Sequence, residues 1–169
     1  MNINEAIYSR RSIRQFNSST IKKSDLLKVI EAGAMAPSGK NGQPWRFVIV
    51  QENRLLIDAI ANLSIYKKWL KNANCFIIVL LDKLSAYHYI KDVQAIGACI
   101  QNILLSAHEI GIGSCWIGEI YKNGAYIKDL LNISDENLEL MAIVALGYYD
   151  KSEAKFSRRK IEELLLYYM

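Results

Sequence analysis

Apolar and polar residues follow two different periods along this chain, and these periods divide most of it into predicted helices and strands. Apolar residues three or four positions apart favour helices, and short runs rich in β-branched residues favour strands. The first spacing predicts helices around 3–7, from an N-cap at Ser24 to Ala34, at 55–63, at 66–70, over 92–110 and around 125–131. The apolar runs predict strands at 47–50, 76–81, 115–120 and 140–148.

Two of these elements carry more apolar surface than their neighbours. The run 76–81 is apolar without interruption, which is typical of a central strand that is covered on both faces. The helix over 92–110 has apolar residues on most of its circumference. We therefore expect it to be deeply buried, with Gly111 at its C-cap.

The chain ends in an apolar segment, residues 161–169, which carries a run of three leucines and two tyrosines. One domain of this size has difficulty covering both this tail and the long apolar helix. A second chain would cover both, and this predicts a homodimer. The alternative, in which the tail packs on its own domain, stays open at this point.

Residues 36–45, Ala-Pro-Ser-Gly-Lys-Asn-Gly-Gln-Pro-Trp, interrupt the regular pattern. Two prolines fix the backbone and two glycines permit its close approach to other groups, so the segment is predicted to be a loop. No internal repeat or linker is visible in the remaining pattern. Residues 1–169 are therefore predicted to form a single α+β domain.

Composition and charge narrow the choice of partners. The chain is 51% hydrophobic and 22% charged, an ordinary globular balance, with a formal net charge of +4. Its basic residues form small separated clusters at 10–14, 67–68 and 158–160. This distribution fits a phosphorylated small molecule better than a long polyanion, so nucleic-acid binding is not expected.

Cysteine usage and hydropathy predict a cytoplasmic location. Cys75, Cys99 and Cys115 are odd in number and lie far apart in apolar surroundings, which is typical of buried reduced thiols. The start of the chain does not have the pattern of a signal peptide. The longest apolar run is far shorter than the ~20 residues that cross a bilayer, so no membrane association is expected.

The segment Arg10-Arg11-Ser12-Ile13-Arg14 is the first candidate for binding chemistry. Three guanidinium groups and a hydroxyl within five residues supply the donors that a phosphate needs. If the segment is extended, alternation sends Arg10, Ser12 and Arg14 to one side. A solvated basic turn would be the better interpretation if this motif stood alone.

The loop 36–45 is the second candidate. Ser38, Asn41 and Gln43 offer neutral donors and acceptors that suit the edge of a heteroaromatic ring. A tight loop that only caps the preceding helix remains the alternative for this segment taken alone.

The two motifs together resemble the opening of the FMN-dependent nitroreductase family. The pattern R-R-S-I-R-x-F and the loop sequence carry the resemblance, and two weaker segments, 111–119 and 157–159, agree in order. The resemblance covers nearly the whole chain. It implies an α+β fold with a mixed, mostly antiparallel sheet of four or five strands flanked by helices. It also implies an obligate homodimer with two FMN sites at the subunit interface.

The resemblance further implies which residues hold FMN. Arg10, Arg11 and Ser12 would bind its phosphate and ribityl end, with Arg158 or Arg159 closing over the phosphate.

Other residues would surround the flavin ring. Arg14 would approach its pyrimidine side, where a cation favours the reduced form. The loop would come from the partner subunit and contribute Pro37, Ser38, Gly39, Asn41 and Gln43. A third segment would lie along the flavin and direct a backbone N–H at N5: Trp116, Ile117, Gly118 and Glu119.

An oxidoreductase is the activity that the resemblance implies. NADH or NADPH would reduce FMN, which would then reduce a small electrophile such as a nitroaromatic, a quinone or an enone in a ping-pong reaction. The cofactor carries the chemistry, so no catalytic side chain is expected. Tyr66 and Trp69 would line a rather open, aromatic acceptor pocket.

Two alternatives remain beside this function. One is a specialised relative, such as an azoline dehydrogenase or a reductive dehalogenase. The other is a flavin-binding or sensing protein without turnover. A metal site is not expected, because His108-Glu109 begins like a zinc-protease motif but Ile112 stands where the second histidine is needed.

Overall fold

The computed structural model describes residues 1–150 and 156–169, which form an antiparallel sheet with helices on both faces. The helices are α1 (Ile3–Ser9), α2 (Lys23–Ala34), α3 (Arg54–Asn62), α4 (Lys67–Leu70), α5 (Tyr89–Glu109), α6 (Gly124–Leu130) and α7 (Ile161–Leu164). The strands are β1 (Trp45–Val50), β2 (Cys75–Asp82), β3 (Gly113–Ile117) and β4 (Leu138–Gly147). Short 3₁₀ helices cover Gly39–Asn41 and Glu119–Asn123.

The sheet has the order β1-β2-β4-β3, and all three strand pairs are antiparallel. A single parallel bridge between Ser12 and Ser114 adds the segment around residue 12 to the outer edge of β3. The predicted α+β class and the mostly antiparallel sheet of four to five strands are therefore confirmed.

Strand β2 lies between two hydrophobic cores, one on each face of the sheet. All eight of its residues are buried, as its uninterrupted apolar run predicts. Ile77, Val79 and Leu81 face the core under α2 and α5, whereas Phe76, Ile78 and Leu80 face the core under α3, α4 and α6.

Helix α5 ends where the sequence predicts, at a glycine in the left-handed conformation. Gly111 has φ +77, the N–H of Ile112 donates to the Ala107 carbonyl at 2.8 Å, and the Gly111 N–H donates to His108 at 3.1 Å. The expected deep burial holds for one face only. Gln94 and Gln101 are exposed, because polar residues interrupt the apolar pattern on the other face.

Most predicted boundaries shift by one to three residues, and two of these shifts have a local cause. Helix α2 begins at Lys23, so Ser24 lies inside it, and Asp25 in the first turn complements the helix dipole instead of a side-chain N-cap. The strand predicted at 115–120 ends at Ile117, since the chain turns at Gly118 into the 3₁₀ helix.

The apolar tail does not pack on its own domain. Every residue of 156–169 is exposed, including Tyr168 at 94% of its surface. The intrachain alternative for the tail is therefore wrong for the single chain, and a large apolar segment remains available to another surface.

Candidate functional site

The arginine-rich segment leaves α1 and runs along the edge of β3. The Ile13 N–H donates to the Ser114 carbonyl at 2.9 Å, which holds this part of the segment extended. Burial raises the pKa of the Cys115 thiol, while the charge of Arg14, a hydrogen bond with Ser12 and the charge of Arg10 oppose the shift. Arg10, Ser12 and Arg14 thus lie on one side of the segment, near Cys115, as extended geometry predicts.

Two guanidinium groups lie over the aromatic ring of Phe156, and a third, that of Arg10, lies near both of them. The Arg11 Cζ lies 3.2 Å from the ring centroid, and the Arg158 Cζ lies 5.3 Å from it. Burial, and then the charges of Arg158 and Arg11, lower the pKa of the Arg10 guanidinium. Arg158 therefore lies near Arg10, and both Arg158 and Arg159 are exposed, so which of them would meet the phosphate stays a prediction.

This guanidinium cluster, Arg10 with Arg11 and Arg158, has no anionic partner within the described ranges. No carboxylate of residues 1–150 or 156–169 lies within 4.0 Å of any of the three. Like charges that are partly desolvated repel one another, and an anion with several oxygens would relieve the repulsion. The donor set fits a phosphate group.

His108 connects the cluster to the end of α5. Its Nε2 lies 2.7 Å from Ser9 Oγ, and the Ser9 hydroxyl donates to the Glu5 carbonyl at 2.5 Å. The ring nitrogen must therefore donate to the hydroxyl oxygen. Burial and the charges of Arg10 and Arg11 lower the pKa of His108, which favours a neutral, structural imidazole.

The loop 36–45 is held in an unusual backbone conformation. Lys40, Asn41 and Gln43 have φ values of 53, 56 and 47, in the left-handed region that side chains rarely adopt. The Gln43 N–H donates to Ser38 Oγ at 3.0 Å, which closes the loop on itself. Such strain persists only where surrounding contacts fix the backbone, and it is typical of functional loops.

The two glycines of the loop permit close approach, as predicted. A Cβ at Gly39 would lie 2.6 Å from the Tyr87 ring, and a Cβ at Gly42 would lie 2.7 Å from the Ser85 carbonyl oxygen. The Tyr87 segment is fixed in turn by fully buried Asp92, whose Oδ2 accepts from the N–H groups of Tyr87 at 2.8 Å and His88 at 2.6 Å.

The loop and the guanidinium cluster lie at opposite ends of α5. The loop contacts Tyr87, just before the helix, and the cluster surrounds His108, near its end. A helix of 21 residues is ~30 Å long. The two motifs therefore do not meet within one chain, and their convergence across two subunits stays a prediction.

The end of β3 and the turn that follows it present backbone donors. Trp116 is exposed, Ile117 is buried and Gly118 begins the 3₁₀ turn, so the N–H groups at its start have no intrahelical acceptor. The Glu119 carboxylate is not free for a ligand, because its Oε1 accepts from Ser64 Oγ and from the Ile65 N–H at 3.2 Å.

An aromatic group lies beside this segment. The ring centroids of Tyr66 and Trp69 are 6.0 Å apart, and those of Trp69 and Phe16 are 6.4 Å apart. Sequence reasoning named Tyr66 and Trp69 but gave no role to Phe16, although it is part of the first motif. It also missed Phe156 and Ser64, whose contacts depend on the tertiary fold alone.

The described residues lack two other features that would suggest a function. They contain no group of three or more His, Cys, Asp or Glu side chains that could hold a metal ion. No helix among them is long and apolar enough to cross a membrane.

Known proteins match the chain along most of its length. Residues 7–65 and 61–148 match the model of the nitroreductase family. A protein of Archaeoglobus fulgidus, provisionally named NADH dehydrogenase/NAD(P)H nitroreductase, is 39% identical over 154 residues, which are 89% of this chain and 86% of the relative.

A solved structure and a second relative extend the comparison. The crystal structure of a provisionally named nitroreductase from Desulfovibrio desulfuricans, in complex with FMN, superimposes with a TM-score of 0.93 at 35% identity, covering 99% of this chain and 98% of that one. The iodotyrosine deiodinase of Thermotoga neapolitana is 25% identical over 176 residues, which cover 90% of this chain and 91% of the relative.

Proposed function

The chain belongs to the nitroreductase family, and from this premise we propose that it is an FMN-dependent oxidoreductase that uses NADH or NADPH to reduce small electrophilic acceptors. The observation that carries the proposal is the guanidinium cluster without an anionic partner in the described residues. The Desulfovibrio desulfuricans structure, which superimposes on 99% of this chain, is a complex with FMN. When bound, FMN supplies the transfer of a hydride from the nicotinamide to the acceptor.

The chain's own residues would bind and orient the cofactor. Arg10, Arg11 and Arg158 would hold the phosphate, with Ser12 as a neutral donor on the same side. Arg14 would stabilise negative charge on the pyrimidine side of the ring. Donors of the turn after Ile117 would orient N5.

The loop would act from a second copy of the chain. Its backbone is already fixed, but its distance from the cluster along α5 means that one chain cannot offer both to a single flavin. The exposed tail, residues 161–169, gives a second reason to expect a homodimer, because its apolar surface would be covered by another subunit.

The acceptor class is proposed to include nitroaromatics, quinones and enones, reduced after the nicotinamide leaves the same pocket. Exposed Tyr66 and half-buried Trp69 support an aromatic pocket that is rather open. Reductive dehalogenation is a second candidate, since a deiodinase is among the relatives. Azoline oxidation, and flavin binding without turnover, are the remaining alternatives.

Anaerobic reduction tests the proposal directly. The purified protein should be yellow, and NADH or NADPH should bleach it within seconds before a panel of acceptors restores the colour. Protein that binds FMN but stays yellow with both donors would favour the alternative without turnover.

Arg10→Ala combined with Ser12→Ala tests the site. Loss of one charge-assisted contact of about 1.5–3 kcal/mol weakens FMN binding at least tenfold. The matched control, Lys28→Ala with Ser24→Ala on the exposed side of α2, removes the same charge and hydroxyl and should keep the wild-type Kd. Full FMN occupancy in the double variant would contradict the assigned site.

A further inference from the structure

The side chain of Glu119 joins two segments that lie far apart in the sequence. Its Oε1 accepts hydrogen bonds from the Ser64 hydroxyl and from the Ile65 N–H. The Asn123 side-chain amide also donates to the Leu63 carbonyl at 2.6 Å. The turn between α3 and α4 is thereby tied to the turn that follows β3.

The link is buried and directional. Ser64 is 4% exposed, and its Oγ also accepts from the Tyr66 N–H at 3.1 Å. A relay of hydrogen bonds therefore runs from the Tyr66 backbone through the Ser64 hydroxyl to the Glu119 carboxylate. The other carboxylate oxygen, Oε2, is buried and accepts no hydrogen bond from residues 1–150 or 156–169, although Lys122 Nζ lies 3.6 Å away as an ion pair.

The relay ends at two exposed apolar side chains. Ile65 is 68% exposed and Tyr66 is 42% exposed, and the Tyr66 ring also contacts Trp69. A turn with large exposed apolar groups would be mobile without an anchor. Here it is anchored to the segment that the proposed function puts beside the flavin ring.

We propose that Glu119 acts through Ser64 as a positioning residue, which fixes Ile65 and Tyr66 as one wall of the acceptor pocket and favours planar aromatic acceptors. This inference rests on the proposed function, because the pocket is defined by the flavin. Glu119 would affect how acceptors bind, while the guanidinium cluster would determine whether FMN binds.

The test compares two acceptors on the FMN-loaded enzyme. Menadione is a planar quinone that can stack on Tyr66, whereas ferricyanide is a small inorganic ion that needs no aromatic wall. Ser64→Ala removes the hydroxyl that joins the Tyr66 N–H to the Glu119 carboxylate, while the Ile65 N–H still donates to Glu119 Oε1. It should raise the KM for menadione roughly two- to tenfold, the range of one aromatic contact, with kcat, ferricyanide turnover and FMN affinity unchanged.

A double-variant cycle separates positioning from a general loss of stability. Tyr66→Ala should give the same change in KM, and adding Ser64→Ala to it should have little further effect, since both act through the same wall. The matched control is Ser24→Ala, which removes a serine hydroxyl on the exposed side of α2, away from both proposed binding motifs. This control should leave the ratio of the KM for menadione to the KM for ferricyanide at the wild-type value.

The possible failures are distinguishable. An equal change, or no change, in the KM for both acceptors with Ser64→Ala overturns the inference but leaves the proposed function intact. So does full additivity of the two variants. A wild-type protein that is not bleached by nicotinamides overturns both.

Discussion

The two ends of α5 are built on opposite principles. At the loop end, two carboxylates fix the backbone: Asp92 Oδ2 accepts from two N–H groups, and Asp82 accepts from the hydroxyl of Ser85 and from Arg46. Asp92 Oδ1 is buried without a hydrogen bond from the described residues. At the arginine end, like charges stand together without an anion in the described residues. The loop end is thus a fixed backbone, whereas the arginine end is a group of like charges.

This difference separates two ways of preparing a site before its ligand arrives. The loop end fixes a strained backbone, so that binding needs no rearrangement there. The arginine end gathers like charges whose repulsion a bound anion would relieve. Substitutions at the two ends should therefore change stability in opposite directions.

The largest effect is expected at the loop end. Asp92→Ala leaves the N–H groups of Tyr87 and His88 without their acceptor and should lower the free energy of unfolding by about 2 kcal/mol in urea titrations. The matched control, Asp129→Ala at an exposed position, should change it by less than about 0.5 kcal/mol. Equal effects of the two variants would remove the contrast between the ends.

A smaller effect of opposite sign is expected at the arginine end. Arg10→Met keeps the apolar stem and removes one of the repelling charges, so the FMN-free protein should become slightly more stable at low ionic strength, by less than about 0.5 kcal/mol because solvent screens these charges. The same variant should bind FMN more weakly. A loss of stability in the FMN-free variant, measured by the same urea titrations, would mean that the cluster is a structural feature.

The smallest effect concerns pH. Because burial, Arg10 and Arg11 lower the pKa of folded His108, the unfolded chain takes up the proton first as the pH falls below the unfolded value of about 6.5. Stability should therefore fall with pH in that window. His108→Gln keeps a donor for Ser9 and should flatten the fall between roughly pH 6.5 and 5. Identical slopes for variant and wild type in urea titrations would contradict this assignment.

Sequence patterns predicted the framework well where one physical signal dominates. The apolar run of β2 and the glycine after α5 were recognisable because burial and a left-handed cap leave few alternatives. The helix start at Lys23 was missed, since an N-cap signal at Ser24 competes with tertiary packing of the neighbouring Ile21.

The site was predictable in part for the same reason. Alternation gave the common side of Arg10 and Arg14, but nothing in the sequence indicates the ring of Phe156 between charged groups. The loop glycines were correctly expected to permit close approach. The left-handed residues are instead their neighbours, such as Lys40, because the conformation there is imposed by contacts with the Tyr87 segment.

The three buried thiols make it possible to measure local openings of the folded protein. Burial raises the pKa of Cys75 and of Cys99 to about 12, so almost no thiolate is present in the closed state. A disulfide reagent such as dithionitrobenzoate can then react only during openings, and its rate measures their frequency. Cys115 lies on β3, next to the residue that pairs with the arginine-rich segment. The rate at which Cys115 is labelled would therefore report detachment of that segment separately from global unfolding.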